Sequence, residues 1–265
     1  MNFISDPDHA VNEINNDVKK ATKGLIPKLL DSVDRDTQAI LVNAIHFKGL
    51  WKQPFDENFT IPDEEFHLSN GKTINVPMMS KTMTCRYGVK KSGLKIISLP
   101  YDSSSNEETF NMVFILPEPS KLHDYLKNFS ATDFNNDLAR LREQRNVELL
   151  IPRFKIESTH SLLPIIKKLG IAEIFGCNAN LSKFTKNSQE PLHVSEILQK
   201  AVIEVDEKGT EAAAATAIMM RLCAMPMDEP ITFIANRPFI YVLMSKTSEN
   251  IKKIIFLGVV ENPTQ

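Results

Sequence analysis

Residues 201–227, AVIEVDEKGTEAAAATAIMMRLCAMPM, constrain this chain more than any other stretch, because their two halves favour different structures. In the first half Ala201, Ile203 and Val205 fall on one side of an extended chain, with Val202, Glu204 and Asp206 on the other. That period of two reads as a strand. Gly209 breaks it, and an almost featureless run from Thr210 through four consecutive alanines to Ala217 follows. A mixed apolar and basic segment around Arg221, Leu222 and Cys223 comes next, and Pro226 and Pro230 hold the chain extended. By propensity residues 211–222 form a helix. Four alanines in a row give no amphipathic stripe, so such a helix would have little to bury. Small side chains equally suit a segment that slides between two strands of a sheet. Local sequence leaves both readings open.

Elsewhere strands and helices mix without a βαβ rhythm, which indicates an α+β fold. Asp6 and Pro7 open a helix by capping and by a proline in its first turn. Val11, Ile14 and Val18, then Ile26, Leu29 and Leu30, keep helical spacing, interrupted at Gly24 and Pro27. Residues 39–47 (AILVNAIHF) read as a buried strand with Asn43 amid apolar neighbours. A buried asparagine needs partners or costs roughly 1–3 kcal/mol. Further strands are expected over residues 66–68, 74–79, 94–99, 112–116 and 147–156, with a tight turn at Asn70-Gly71. Helices are expected near 122–126 and 133–141, and over 162–169 up to Gly170. Residues 233–244 and 254–260 are long apolar strands suited to burial on both faces. No repeat or linker interrupts the chain, so one domain over residues 1–265 is expected.

Lys plus Arg number 31 and Asp plus Glu 33, a balance that argues against nucleic-acid binding by bulk charge. No apolar run is long enough to cross a bilayer. The N-terminal MNFISDPDHAV has neither a basic start nor a sustained apolar stretch, so no signal peptide is visible. Cys85, Cys177 and Cys223 are too few and too scattered for a disulfide scaffold or a zinc site. The six histidines show no metal-ligand spacing, and HExxH, CxxC and GxSxG are all missing. No enzyme and no cofactor is expected. Asn58-Phe59-Thr60, Asn128-Phe129-Ser130 and Asn180-Leu181-Ser182 are glycosylation sequons if the protein is secreted.

The run Glu207-Lys208-Gly209-Thr210-Glu211-Ala212-Ala213-Ala214-Ala215 resembles the reactive-loop hinge of a serpin, a serine protease inhibitor. Residues 233–243 (FIANRPFIYVL) are similar to that family's C-terminal signature at every position. Similarity continues through residues 43–55 (NAIHFKGLWKQPF), Val76-Pro77-Met78-Met79, Pro152-Arg153-Phe154-Lys155 and Leu169-Gly170-Ile171. It is found again in Ala179-Asn180-Leu181-Ser182, Phe256-Leu257-Gly258 and Asn262-Pro263. The chain is identified by these motifs as a member of the serpin family, lacking about the first third of a usual member. The resemblance implies mixed β-sheets surrounded by helices, without several N-terminal helices and one edge strand of the main sheet. It also implies an exposed reactive-centre loop over about residues 207–231.

The resemblance assigns roles to single residues. Asn43 falls in the "shutter", where the central strands must part. Its expected partner is Gln199, where many members carry a histidine; glutamine can donate and accept but cannot titrate. Trp51, the one tryptophan, falls at the "breach", where the loop first enters the sheet, although without the family it reads as a core aromatic at a strand end. Arg153 and Glu207 match a pair expected to form a salt bridge there, worth about 0–1 kcal/mol if partly exposed.

The implied function is inhibition by being cut: a serine protease acylates itself on the loop, and the freed hinge inserts between the strands of Asn43 and Gln199. Counting from Gly209 puts the bait at Cys223, with Ala224 after it. Arg221 suits a trypsin-like protease and Leu222 a chymotrypsin-like one. The implied partner is such a protease, with no nucleic acid or membrane, and the chain is expected to be an extracellular monomer open to loop–sheet polymerisation. The alternative is a non-inhibitory serpin acting as carrier, chaperone or storage protein, against which the small-residue hinge speaks.

Overall fold

A computed structural model of the chain describes residues 3–103, 108–176, 178–183, 192–208, 230–247 and 252–264. In chain order the elements are α1 (Pro7–Ala21), β1 (Ile40–Phe47), β2 (Ile61–His67), β3 (Thr73–Val89), β4 (Lys95–Pro100) and β5 (Glu108–Leu116). Then come α2 (Leu122–Lys127), α3 (Ala131–Arg140), β6 (Arg142–Pro152), β7 (Phe154–Ser161) and α4 (Leu163–Lys168). The chain closes with β8 (Glu196–Val205), β9 (Ile231–Ile234), β10 (Phe239–Thr247) and β11 (Lys252–Val260). Two compact units are built from these: Met1–Phe47 with Ile156–Ile203, and Lys48–Lys155 with Glu204–Gln265.

The first unit is a three-stranded sheet of order β1-β8-β7 covered by α1. Asp6 accepts the His9 N–H at 3.0 Å and caps α1, whose buried stripe is Ala10, Val11, Ile14 and Val18. That stripe packs with Ile26, Leu29, Leu30 and Val202 of β8. The helical spacing of Ile26, Leu29 and Leu30 does not extend the helix. Lys23 and Gly24 both take positive φ, 53° and 87°, and turn the chain back along α1. Asn15 holds the returning segment. Its Oδ1 accepts the N–H groups of Leu29 at 2.8 Å and Leu30 at 2.9 Å, and its Nδ2 donates to the Leu30 carbonyl at 2.9 Å.

The second unit is an eight-stranded sheet of order β11-β10-β5-β4-β3-β6-β9, with β2 also paired to β3. Ser130 caps α3: its hydroxyl accepts the Asp133 N–H at 3.1 Å and donates to the Asp133 carboxylate at 2.6 Å. Phe134 and Leu138 of α3 pack on Leu94, Ile96, Val113, Ile115, Ile240 and Val242, covering one face of β4, β5 and β10. Edge-to-face contacts join Phe239 to Phe114 at 5.9 Å and to Phe154 at 5.8 Å. Opposite Tyr241 on β10 stands Gly258 on β11, and any Cβ there would overlap the tyrosine ring.

Several expectations need correction. The strand expected over 147–156 is two strands, parted at Arg153, whose N–H donates to the Pro77 carbonyl at 3.0 Å in the β3–β6 register, where Pro77 has no N–H to return the bond. The strand expected over 233–244 is likewise two, β9 and β10, separated by the turn that holds Arg237 and Pro238. β1 is not buried. It lies at the end of its sheet, with Leu41 48% and Val42 38% exposed, and Asn43 is exposed too. β11 is also an end strand, with Ile254 and Leu257 about half exposed, whereas β10 beside it is buried on both faces. An end strand has a neighbour on one side only, and apolar composition alone does not reveal that position.

Two substitutions test these packing assignments. Asn15→Ala leaves two N–H groups and a carbonyl without their amide and is expected to cost about 1–3 kcal/mol in urea unfolding. A loss below about 0.5 kcal/mol would show that the returning segment is held by something else. Gly258→Ala is expected to cost about 1–3 kcal/mol through overpacking against Tyr241, and Tyr241→Phe in the same chain should recover only the part due to the hydroxyl.

Candidate functional site

β8 ends at Val205, the next three residues lead to residues 209–229, and β9 resumes at Ile231. The hinge residues Gly209, Thr210, Glu211 and Ala212 to Ala215, and the bait candidates Arg221, Leu222, Cys223 and Ala224, lie outside the described residues. What the structure describes is the stretch that leads into them, residues 204–208, called the root below.

Glu207 is the centre of the root. It is 1% exposed, and one carboxylate oxygen accepts the Arg153 guanidinium at 2.7 Å and the Thr60 hydroxyl at 2.6 Å. Its carbonyl accepts the Phe55 N–H at 2.9 Å. Burial works to raise the carboxyl pKa, but the hydrogen bonds from Arg153 and Thr60, with the arginine charge, outweigh it and hold the group below the usual glutamate range. Arg153 is held to its charge by the same bond. The pair expected from sequence is therefore formed, but it is lopsided: the carboxylate is buried and the guanidinium side chain is 47% exposed.

Asp206, one residue earlier, is held from two directions. Trp51 donates its indole N–H to the Asp206 carbonyl at 2.7 Å. The indole is 3% exposed and lies parallel on Tyr101 at 4.2 Å between centroids, with Phe55 edge-on at 6.1 Å. A buried indole N–H needs an acceptor, and here the acceptor is the backbone of the loop root. The Lys48 ammonium reaches Glu204 at 2.6 Å and Asp206 at 2.9 Å. Burial lowers the Lys48 pKa, but the two carboxylates together more than offset that and hold the ammonium above its ordinary range. Lys208 pairs with Glu57 at 3.1 Å on the exposed side.

Asn43 and Gln199, the residues expected at the shutter, sit in the first unit. β1 and β8 pair in parallel over eight residues, from Ile40 opposite Glu196 to Phe47 opposite Ile203. Asn43 stands opposite Gln199 in that register and accepts its side-chain N–H at 3.2 Å. The two strands between which insertion is expected are thus bonded to each other. The amide pair is exposed, so the cost of burying Asn43 does not arise.

Asn43, Gln199, Trp51, Arg153 and Glu207 were legible from sequence, and the structure brings the last three together. Thr60, Phe55, Lys48 and Asp206 were not. Thr60 lies 147 residues from Glu207 and carries no signal beyond its place in a sequon. Cys85 is buried, and burial pushes its thiol up to about 11, so it stays protonated at neutral pH.

The root makes a pH-dependent contribution with a definite sign. A carboxyl whose folded pKa is depressed stabilises the fold at neutral pH and loses that contribution as pH falls through the folded value. The difference in thermal midpoint between the native chain and Glu207→Gln should be largest near pH 7 and shrink below about pH 4. Arg153→Ala should cost about 1–3 kcal/mol at pH 7, because the carboxylate stays buried without its counter-charge. A cost within about 0.5 kcal/mol, the scatter of surface substitutions, would reduce the pair to a surface ornament.

Comparison with known proteins agrees with this geometry. The family model described as Serpin (serine protease inhibitor) matches residues 1–263. The chain is 36% identical to Serpin-Z7 of Hordeum vulgare over 99% of its own length and 65% of that relative's. It is 36% identical to the protein Z-dependent protease inhibitor of Homo sapiens over 100% of its own length and 56% of that relative's. Among solved structures, mouse protein Z-dependent protease inhibitor superposes with a TM-score of 0.81 at 31% identity, covering 100% of this chain and 65% of that one. Human thyroxine-binding globulin complexed with thyroxine gives 0.84 at 28%, covering 100% and 67%. The chain therefore spans little more than half to two thirds of the length of the relatives it matches, in a continuous similarity that takes in both units. With Glu207 bonded to Arg153 and Thr60, and with β1 paired to β8, the chain belongs to the serpin family.

Proposed function

We propose that this chain inhibits a serine protease as a suicide substrate, by cleavage and insertion of its reactive-centre loop. The reading is carried by the combination of the bonded Glu207 with a paired β1 and β8 and an alanine-rich run that follows Lys208 in sequence. An anchored root keeps the loop displayed until it is cut. A closed slot keeps the sheet short of a strand that the hinge can supply.

The magnitudes are adequate. Addition of a strand to a sheet by backbone hydrogen bonding is a general recognition mode, of which serpin loop insertion is a known instance. A strand inserted between β1 and β8 replaces one interface with two, a net gain of about eight backbone bonds. At about 0.5–1.5 kcal/mol each that amounts to about 4–12 kcal/mol. The stability of a protease is about 5–15 kcal/mol. Dragging an acylated enzyme along with the loop can therefore distort it before deacylation.

The hinge must then accept small residues only, and the bait stays as read from sequence: Arg221 for a trypsin-like enzyme, Leu222 for a chymotrypsin-like one, with Cys223 and Ala224 at the position counted from Gly209. The reading includes an extracellular monomer. The asparagines of the three sequons, Asn58, Asn128 and Asn180, are exposed, as glycan attachment needs. A second reading, a non-inhibitory carrier, is favoured by one observation, the 0.84 TM-score against thyroxine-binding globulin complexed with thyroxine.

A denaturing gel separates the two: the inhibitor gives a covalent complex with trypsin or chymotrypsin, and the carrier gives only cleaved chain. Thr210→Arg and Ala212→Arg are expected to abolish the complex while leaving cleavage intact, since a charged side chain facing the sheet stalls insertion. Complex formation by either variant at the native level would refute the hinge assignment. Cleavage of the native loop should raise the thermal midpoint by about 20 °C, at about 2–4 °C per kcal/mol. Mass spectrometry of the released peptide then locates the cut, expected after Arg221 with trypsin.

A further inference from the structure

The Lys48 ammonium closes the upper end of the slot. Phe47 opposite Ile203 is the last pair of the β1–β8 register, and Lys48 and Glu204 are the residues that follow each. Lys48 bonds Glu204 at 2.6 Å and Asp206 at 2.9 Å, and the three side chains are only 22–29% exposed. This is the end from which the chain leaves β8 for the hinge. A hinge segment folding back between β1 and β8 must pass first between Lys48 and Glu204. It cannot form its first backbone bonds while that ion pair stands. We propose that Lys48 is a latch on the slot, a positioning residue whose ion pairs with Glu204 and Asp206 must break before loop insertion begins.

The charge pattern supports a latch in place of a second anchor. Glu204, Asp206 and Glu207 put three carboxylates within four residues. Arg153 neutralises the buried one, at the root of the loop. Lys48 is the side-chain cation that bonds both of the other two, Asp206 also accepting the Lys208 N–H at 3.1 Å, and it comes from the segment that leaves β1, across the slot from β8. Loss of Arg153 would loosen the root without uncoupling the two strands. Loss of Lys48 would leave Glu204 and Asp206 without the cation that ties them to the end of β1.

This inference rests on the inhibitory reading, and the test keeps the two apart. A synthetic peptide of residues 210–220, TEAAAATAIMM, is added to the uncleaved native chain and to Lys48→Met, Lys48→Arg and the double variant Glu204→Gln/Asp206→Asn. Trp51 is the only tryptophan and bonds the Asp206 carbonyl, so its emission reports peptide incorporation without an added label. Lys48→Met should take up peptide about 5- to 10-fold faster than the native chain, the size expected for a half-buried ion pair. Lys48→Arg should stay within about twofold of the native rate. The carboxylate double variant, which keeps every side chain's size, should match Lys48→Met and serves if the latter folds poorly.

Thermal midpoints give a readout that a purely structural role would not produce. Lys48→Met should lower the midpoint of the uncleaved chain and leave that of the loop-cleaved chain unchanged, since the pair is already broken there. Equal lowering of both midpoints, or peptide uptake at the native rate, overturns the latch while leaving insertion standing. Failure of the native chain to take up peptide, with no rise in its midpoint on cleavage, overturns the inhibitory reading and the latch together.

Discussion

The buried carboxylate of Glu207 is the contact on which the rest of this structure turns. A charge with 1% exposure is tolerable only when its lone pairs are occupied and a counter-charge is near. Arg153 supplies the charge and Thr60 a second donor, from segments far apart in sequence. The carboxylate thereby pins three stretches to one point: the end of β8, the break between β6 and β7, and the turn before β2. Arg153 stands at the junction of β6 and β7, with its N–H still bonded to the Pro77 carbonyl and its guanidinium on Glu207.

Around that point the chemistry alternates between holding and leaving free. Trp51, Phe55 and Lys48 hold the backbone and side chains from Glu204 to Glu207, while the sequence beyond Lys208 runs through four consecutive alanines that have almost nothing to bury. A segment with no apolar stripe of its own gains most by borrowing a sheet's hydrogen bonds. The β1–β8 pair offers them only if it first parts. On the proposed reading, parting this eight-residue pair costs about 4–12 kcal/mol, which an inserted strand would recover on both sides. Neither amide titrates, so the Asn43–Gln199 bond carries no pH switch of its own.

Core packing sets how much of this can be varied. β10 is buried on both faces, and its Phe239 makes edge-on aromatic contacts with Phe114 of β5 and with Phe154. α1 is fixed to its own sheet by a narrow stripe and by one asparagine. The end strands β1 and β11 carry exposed Leu41, Val42, Ile254 and Leu257. Apolar composition there reflects a strand's preference for branched side chains as much as its burial.

Sequence by itself determined the α+β class, the capped first helix, most strand positions, the family, and the identities of Trp51, Arg153, Glu207, Asn43 and Gln199. Each of these is written in local pattern: a period of two or 3.6, a cap, or a motif of contiguous residues. Tertiary structure alone decided that residues 26–30 return along α1 instead of extending it, that β1 and β11 are end strands, and that β6 parts from β7 at Arg153. It alone brought Thr60, Phe55 and Lys48 to the loop root. Those facts depend on bonds between residues that are not sequence neighbours, 14 positions apart for Asn15 and Leu29 and 147 for Thr60 and Glu207, or on which side of a strand lacks a neighbour. Neither leaves a periodic trace along the chain, because a long-range partner is chosen by the folded geometry and not by the residues beside it.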